Sequence, residues 1–199
     1  MTGTKGQGRP LTFADLTPRE KVGLRTAVHE AGHAVASTVL GGRIHAAVLT
    51  IGRVFGVNGK TVHAEVAGGA WPSIVYAGPY AEARWLAGQR PSQALLAAIL
   101  GGSGYRDREA LCAAAAADVY GDPSNEARLT VPGLIEMSWP AVVSVAQVLH
   151  REGEARHEHV LAALGVDDGG GRGSVQLANL RAGLRSVPPL SAPKRPVPA

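Results

Sequence analysis

In the stretch TAVHEAGHAVAST, residues 26–38, His29 and His33 stand four apart, and Glu30 directly follows the first. On a helix, residues four apart share a face, so the two imidazoles can hold one metal ion. Glu30 sits about 100° further around the helix. From there its carboxylate can reach a water on that ion without being a ligand itself. This is the HExxH arrangement of two ligands and a general base. A zinc ion lowers the pKa of a bound water to about 7; Glu30 would take the proton and later pass it to a leaving amine. The flanking residues Ala27, Val28, Ala31, Ala34 and Val35 are small and apolar. Imidazoles on so apolar a helix need buried partners, because an unpaired buried polar group costs about 1–3 kcal/mol. A metal ion satisfies both rings; the competing reading is a pair of packed core histidines.

A catalytic zinc takes three protein ligands and keeps one position open. The continuation AVASTVLGGRIH offers no histidine before His45, which lies past the expected helix end. The third ligand must come from elsewhere, and by residue type the candidates are Glu82, Asp107, Glu109 and the run His157, Glu158, His159. In that run the two histidines are two apart and do not share a helical face, so it reads as a solvated helix surface. Gly59, Lys60 and Thr61 imitate a phosphate loop. That motif requires a glycine at position 54, where Val54 stands, and a helix to follow, whereas TVHAEV alternates like a strand. No ATP site is expected.

The elements that must position these residues follow from local signals. Thr17, Pro18 and Glu20 form a capping-box start, which predicts a helix from Pro18 to about Leu40, stopped by Gly41 and Gly42. Residues 43–66 carry β-formers, with Asn58-Gly59 expected as a tight hairpin turn, so a small antiparallel sheet of two to four strands is predicted. From Trp71 the pattern turns helical, in segments near 70–88, 91–102, 104–121, 131–153 and 154–165. Pro79 should kink the first, and the fourth should break before Trp139. VDDGGGRGS reads as a linker, VQLANLRAGLR places Leu177, Leu180 and Leu184 on one helical face, and the proline-rich end closes the chain. The predicted fold class is α+β and mostly helical: a long helix carrying the motif, a small antiparallel sheet, then a helical bundle. The predicted organisation is a flexible arm over 1–16, one domain over 17–165, and a Gly/Pro-rich linker and tail over 166–199.

Composition narrows the class. With 45% apolar and 18% charged residues, the chain can build a core and is not a disordered one. Cys112 is the only cysteine, so no disulfide forms within the chain. The N-terminus lacks an apolar signal region, and no run of 18 apolar residues is free of charge or turn residues. A cytoplasmic protein without a membrane span is the expectation. The net charge is +4, partly from Lys5, Arg9, Arg181, Arg185, Lys194 and Arg195 near the ends. Without a zinc finger, an RNA-binding aromatic motif or a dense basic run, no nucleic-acid partner is expected.

A family resemblance joins these observations. HEAGHA, residues 29–34, resembles the signature of the FtsH-type zinc peptidase domain, the proteolytic half of ATP-dependent membrane proteases. YAGPYAEARWLAG, residues 76–88, resembles that family's Ala-Gly-x-x-Ala-Glu helix through Ala77, Gly78, Ala81 and Glu82. GGSGYRDREAL, residues 101–111, resembles the stretch holding the family's third zinc ligand, with Asp107 at its place. The resemblance implies that His29, His33 and Asp107 bind Zn2+, that Glu30 is the base, and that Glu82 supports the site without being a ligand. It implies a polypeptide substrate laid along the edge of the β-hairpin as an added strand. The family's ATPase half is missing, so the chain is expected to cut unfolded or exposed segments or to borrow a partner unfoldase. Homo-oligomeric rings are also implied. The alternative expectation is a catalytically inactive peptidase-like module used for protein binding or regulation.

Overall fold

The computed structural model describes residues 15–52, 56–117 and 123–190; residues 1–14 of the expected arm and 191–199 of the expected tail lie outside them. Helix α1 runs Pro18–Val39, β1 Arg43–Gly52, β2 Gly56–Glu65, α2 Trp71–Ala87, α3 Gln93–Gly101, α4 Tyr105–Ala117, α5 Pro123–Met137, α6 Trp139–Glu152, β3 Glu154–Arg156, α7 His157–Leu164 and α8 Val175–Arg181. The class is α+β and mostly helical, as predicted.

Helix α1 starts where its capping box dictates. The Thr17 N–H donates to Glu20 Oε2 at 2.7 Å, and the Glu20 N–H donates to Thr17 Oγ1 at 3.3 Å. From Ala27 to Val39 every residue of α1 is buried. A helix covered on all sides must carry small or apolar side chains, which is what the Ala/Val-rich stretch supplies. Helix α2 lies against one side of it at close range. An added Cβ on Gly32 would stand 2.7 Å from the Ala77 carbonyl oxygen and 2.7 Å from Ala81 Cβ, so the two backbones meet only because residue 32 has no side chain. The sheet covers another side, and α6 and α7 pack further along. Helix α2 runs unbroken through Pro79.

The sheet has three antiparallel strands in the order β2-β1-β3, which leaves β2 at an edge. Here the structure corrects two expectations. Asn58 and Gly59 are not a turn: they lie inside β2, opposite Thr50 and Leu49. The connection falls on residues 53–55, outside the described residues, and Gly59 is small because α1 comes close to it. The segment Glu154–Arg156, expected as helix, is strand β3. Gly153 ends α6 at φ +77°, and residues 154–156 then pair with Val48, Ala47 and Ala46 of β1.

The fourth helical segment does break before Trp139, with a bend of 77° between α5 and α6. Pro140 explains it, since it has no N–H to give to the preceding turn and its ring crowds the carbonyl four residues back. Helix α5 begins at Pro123, earlier than the expected start near Val131. No single described helix is long and apolar enough to cross a membrane.

The segment after Gly165, expected as linker and tail, contributes to the core. Leu177 and Leu180 are fully buried, and the Arg181 guanidinium donates to the Val39 carbonyl at the end of α1 at 2.6 Å. Leu184 does not share their face: α8 ends at Arg181, Gly183 turns the chain at φ +71°, and Leu184 is 79% exposed. Replacing Leu180 by Ala is therefore expected to destabilise the chain by about 2–5 kcal/mol, the usual cost of an emptied core position. Urea unfolding checks this; a change under about 0.5 kcal/mol, as at a surface position, would make the segment a linker after all.

Candidate metal centre

Helix α1 presents His29 and His33 one turn apart, with ring centroids 4.8 Å from each other. The third group arrives from the first turn of α4. Helix α3 ends at Gly101–Gly102, and the Gly104 N–H returns to the Ile99 carbonyl at 2.9 Å. The tight turn that results starts α4 beside α1. His29 Nε2 lies 3.0 Å from Asp107 Oδ2, and His33 Nε2 lies 3.4 Å from Asp107 Oδ1. Ligand atoms of all three residues fall within 4.8 Å of one another, and they form a group able to hold a metal ion.

The opposite side of each imidazole is also engaged. His29 Nδ1 is 3.0 Å from Glu82 Oε2, and His33 Nδ1–H donates to the Ile74 carbonyl at 2.8 Å. Both partners are acceptors, so each Nδ1 carries a proton; with no second proton on the ring, each Nε2 would turn its lone pair toward Asp107. Lone pairs of two imidazoles and a carboxylate then converge, an arrangement that repels itself unless a cation sits among them. The outer carboxylate and carbonyl are the usual orienting partners of metal-bound histidine. Atoms about 2.0–2.1 Å from a tetrahedral ion stand about 3.3 Å from one another, and both histidine–Asp107 distances are near that value. The donor set present thus fits a metal ion.

Glu82, on α2, is 1% exposed and is compensated from three directions. Besides His29, it accepts from Arg25 Nη2 at 2.6 Å and from the Ser103 hydroxyl, 2.9 Å from each carboxylate oxygen. Burial alone would raise its pKa; His29, Arg25 and Ser103 outweigh that and hold it below the ordinary value. Burial likewise opposes ionisation of Asp107, yet His29 and His33 hold its carboxyl well below the usual carboxylate range. For His29, burial works toward a lower pKa. The flanking Asp107 and Glu82 carboxylates, with Glu30 nearby, overcome it and push the imidazole up to about 10. In the absence of a metal, a proton takes the cation's place.

Glu30 faces β2. The Thr61 hydroxyl donates to Glu30 Oε2 at 2.7 Å, and a Cβ on Gly59 would fall 2.5 Å from Glu30 Oε1. The strand can pass so close to the carboxylate only with glycine there. Gly78 does the same for His33: its Cβ would lie 2.3 Å from His33 Nε2. These groups line a cleft of about 520 Å³, walled by Val22, Val57, Trp71 and Tyr105 and rimmed by Lys60 and Arg106. His63 also lines it, and its pKa is pulled down to about 4, first by burial and then by the nearby charge of His33.

Of the sequence candidates, His29, Glu30, His33 and Asp107 come together. Glu82 is not a ligand, because it sits on the far side of the His29 ring. Glu109 is exposed on α4 and outside the group. The run at His157–His159 is also outside it, but it is not a solvated surface as expected: His157 is buried, and His159 Nδ1 accepts the Arg156 N–H at 2.9 Å at the start of α7. Arg25, Thr61 and Ser103 were not foreseen. Arg25 had a usable signal, since it precedes His29 by one turn on the same face. Thr61 and Ser103 had none, being small polar residues in a strand and a turn.

Two outcomes are expected. Gly78→Ala should weaken metal binding by about 10- to 100-fold or more, the range for disturbing a ligand's setting, as measured by competition with a chromophoric chelator. In chelator-stripped protein, stability should fall as pH rises from about 7 to 10. Folded His29 holds its proton up to about 10 against an ordinary value of 6.5, so between those values the native state binds the extra proton and alkali favours unfolding. That stabilisation is complete below the ordinary value. Thermal melts across this range check the sign; metal-loaded protein, whose His29 carries no such proton, should not show the loss. Among models of known protein families none matches the chain, and no curated protein matches it either.

Proposed function

We propose that the chain is a zinc-dependent metalloendopeptidase, of the FtsH-like type its motifs resemble, in which Glu30 is the general base. The observation that carries the reading is the convergence of His29, His33 and Asp107 on one point, with Glu30 opening on the same cleft. Two imidazoles and one carboxylate suit zinc better than magnesium or calcium, which prefer all-oxygen shells. The resemblance supports the same assignment, since Asp107 and Glu82 play different parts in the geometry, as they do in the family.

When bound, zinc supplies a hydroxide-like water near neutral pH and polarises the substrate carbonyl. The chain's residues do the rest. His29 and His33 offer Nε2 because Glu82 and Ile74 hold their Nδ1 protons. Glu30 accepts the proton of the attacking water, steadied by the Thr61 hydroxyl, and delivers it to the leaving amide nitrogen as the C–N bond breaks. The net change is addition of one water across one peptide bond. The substrate backbone is held along the outer side of β2, whose residues Val57 to Thr61 line the cleft, as an added strand. Extended segments are the substrates that such an edge would accept.

Tag-free protein should carry about one zinc per chain by elemental analysis and should cleave an unfolded protein such as reduced casein. Asp107→Ala should lose the metal. Glu30→Gln should keep it while cleavage falls by about 10²–10⁴-fold, the usual worth of a general base. Undiminished cleavage by Glu30→Gln would sink the mechanism. A native chain that takes up no zinc when supplied, or prefers iron, would sink the assignment and leave the alternative of a binding module.

A further inference from the structure

His63 is on the cleft wall and has no part in the metal group. Three observations constrain its ring. Ser37, on the same α1 face as His33 and one turn further on, is fully buried, and its hydroxyl lies 3.1 Å from His63 Nδ1. The ring of Trp71 meets it edge-on, with centroids 5.5 Å apart and planes at 83°. The ladder between β1 and β2 slips on both sides of the Ile44–His63 pair. Such bulges re-aim a side chain and are common beside functional sites.

The Ser37 contact points to one tautomer, the one in which the buried hydroxyl donates its proton instead of leaving it unpaired. Among the described residues His63 Nδ1 is the acceptor its hydrogen bonding provides. An occupied Nδ1 lone pair puts the imidazole hydrogen on Nε2. The nitrogen that is not bonded to Ser37 is therefore a donor, on a ring that lines the cleft. Strand β2 then brings two groups to α1 on one face: Thr61, which orients Glu30, and His63, which is oriented by Ser37.

We propose that His63 Nε2–H donates to the carbonyl oxygen of the scissile bond as that oxygen gains negative charge, with Ser37 as the residue that positions it. The inference rests on the hydrolase reading. In the step, the water oxygen bonds to the carbonyl carbon, the water proton goes to Glu30, and the carbonyl π pair moves onto the oxygen facing His63. The donor returns no proton and is unchanged when the pair moves back and the C–N bond breaks. Donors aimed at a developing oxyanion act on the transition state more than on the bound substrate.

The test has two readouts. By 15N imidazole NMR, His63 of the native chain should be the Nε2–H tautomer near pH 7, and Ser37→Ala should convert it to a mixture. A native Nδ1–H form would overturn the inference. The second readout is binding to zinc-loaded protein of a phosphinic pseudopeptide, built on a bond cleaved in casein, and of the matching uncleaved peptide in the Glu30→Gln background. His63→Ala should weaken the phosphinate by about 10²-fold or more and the peptide by less than about threefold. His63→Gln, which keeps an N–H donor, should recover part of the loss. Equal weakening of both ligands, or of neither, would make His63 a wall residue only. If the zinc-loaded native chain binds no phosphinate, the hydrolase reading fails and this inference fails with it. If it binds and His63→Ala changes nothing, only this inference fails.

Discussion

The near-contact of α1 and α2 at Gly32 is the constraint on which the rest depends. The two backbones approach until a methyl group would collide with a carbonyl and a neighbouring Cβ. That closeness lets Glu82 of α2 reach one nitrogen of His29 and lets the Ile74 carbonyl reach one nitrogen of His33. Both rings are then oriented by these contacts alone. The cost of close packing is a run of small residues, and the benefit is preorganisation of two ligands to within hydrogen-bond tolerance.

Charge is arranged around this contact so that each carboxylate has a separate task. Glu82 is buried, paired with Arg25 and Ser103, and oriented toward the outer side of His29. Asp107 is partly buried and faces both Nε2 atoms. Glu30 belongs to the strand side, where Thr61 holds it. Three acids within one small cleft would repel each other in a bare pocket. Here the two that touch His29 share its cation when the metal is away, which is why that imidazole binds a proton so tightly. A metal ion bound among these groups would take that proton's place.

The edge strand β2 supports the cleft, and in the proposed reading it also recognises the substrate. Positions 59, 61 and 63 of β2 lie toward α1, and the same strand stands at an edge of the three-stranded sheet. Glycine at 59 admits the carboxylate, threonine at 61 steadies it, and the ladder slips on either side of 63 re-aim the histidine. A strand with such tight side-chain duties holds its register firmly, so an added substrate strand would be set against the base in one alignment.

Much of this was legible from local chemistry. The capping box at Thr17 and Glu20 set the start of α1, and the spacing of His29 and His33 put both rings on one face, because helical period and end capping are properties of neighbouring residues. Residue type left Asp107 and Glu82 as equal candidates, since nothing local decides which carboxylate faces the Nε2 atoms and which stands behind His29. The Asn58-Gly59 pair misled for an instructive reason: glycine serves a turn and a close approach equally well, and only the position of Glu30 against β2 distinguishes the two. The same holds for β3 and for Leu177 and Leu180, whose roles depend on partners in β1 and the core far away in sequence. The sequence by itself determined the helix, its capping and the chemistry of the imidazoles and carboxylate it carries. Which groups met, which were turned away, and how closely the backbones approached were decided by the tertiary structure, because those are distances between segments that no local pattern encodes.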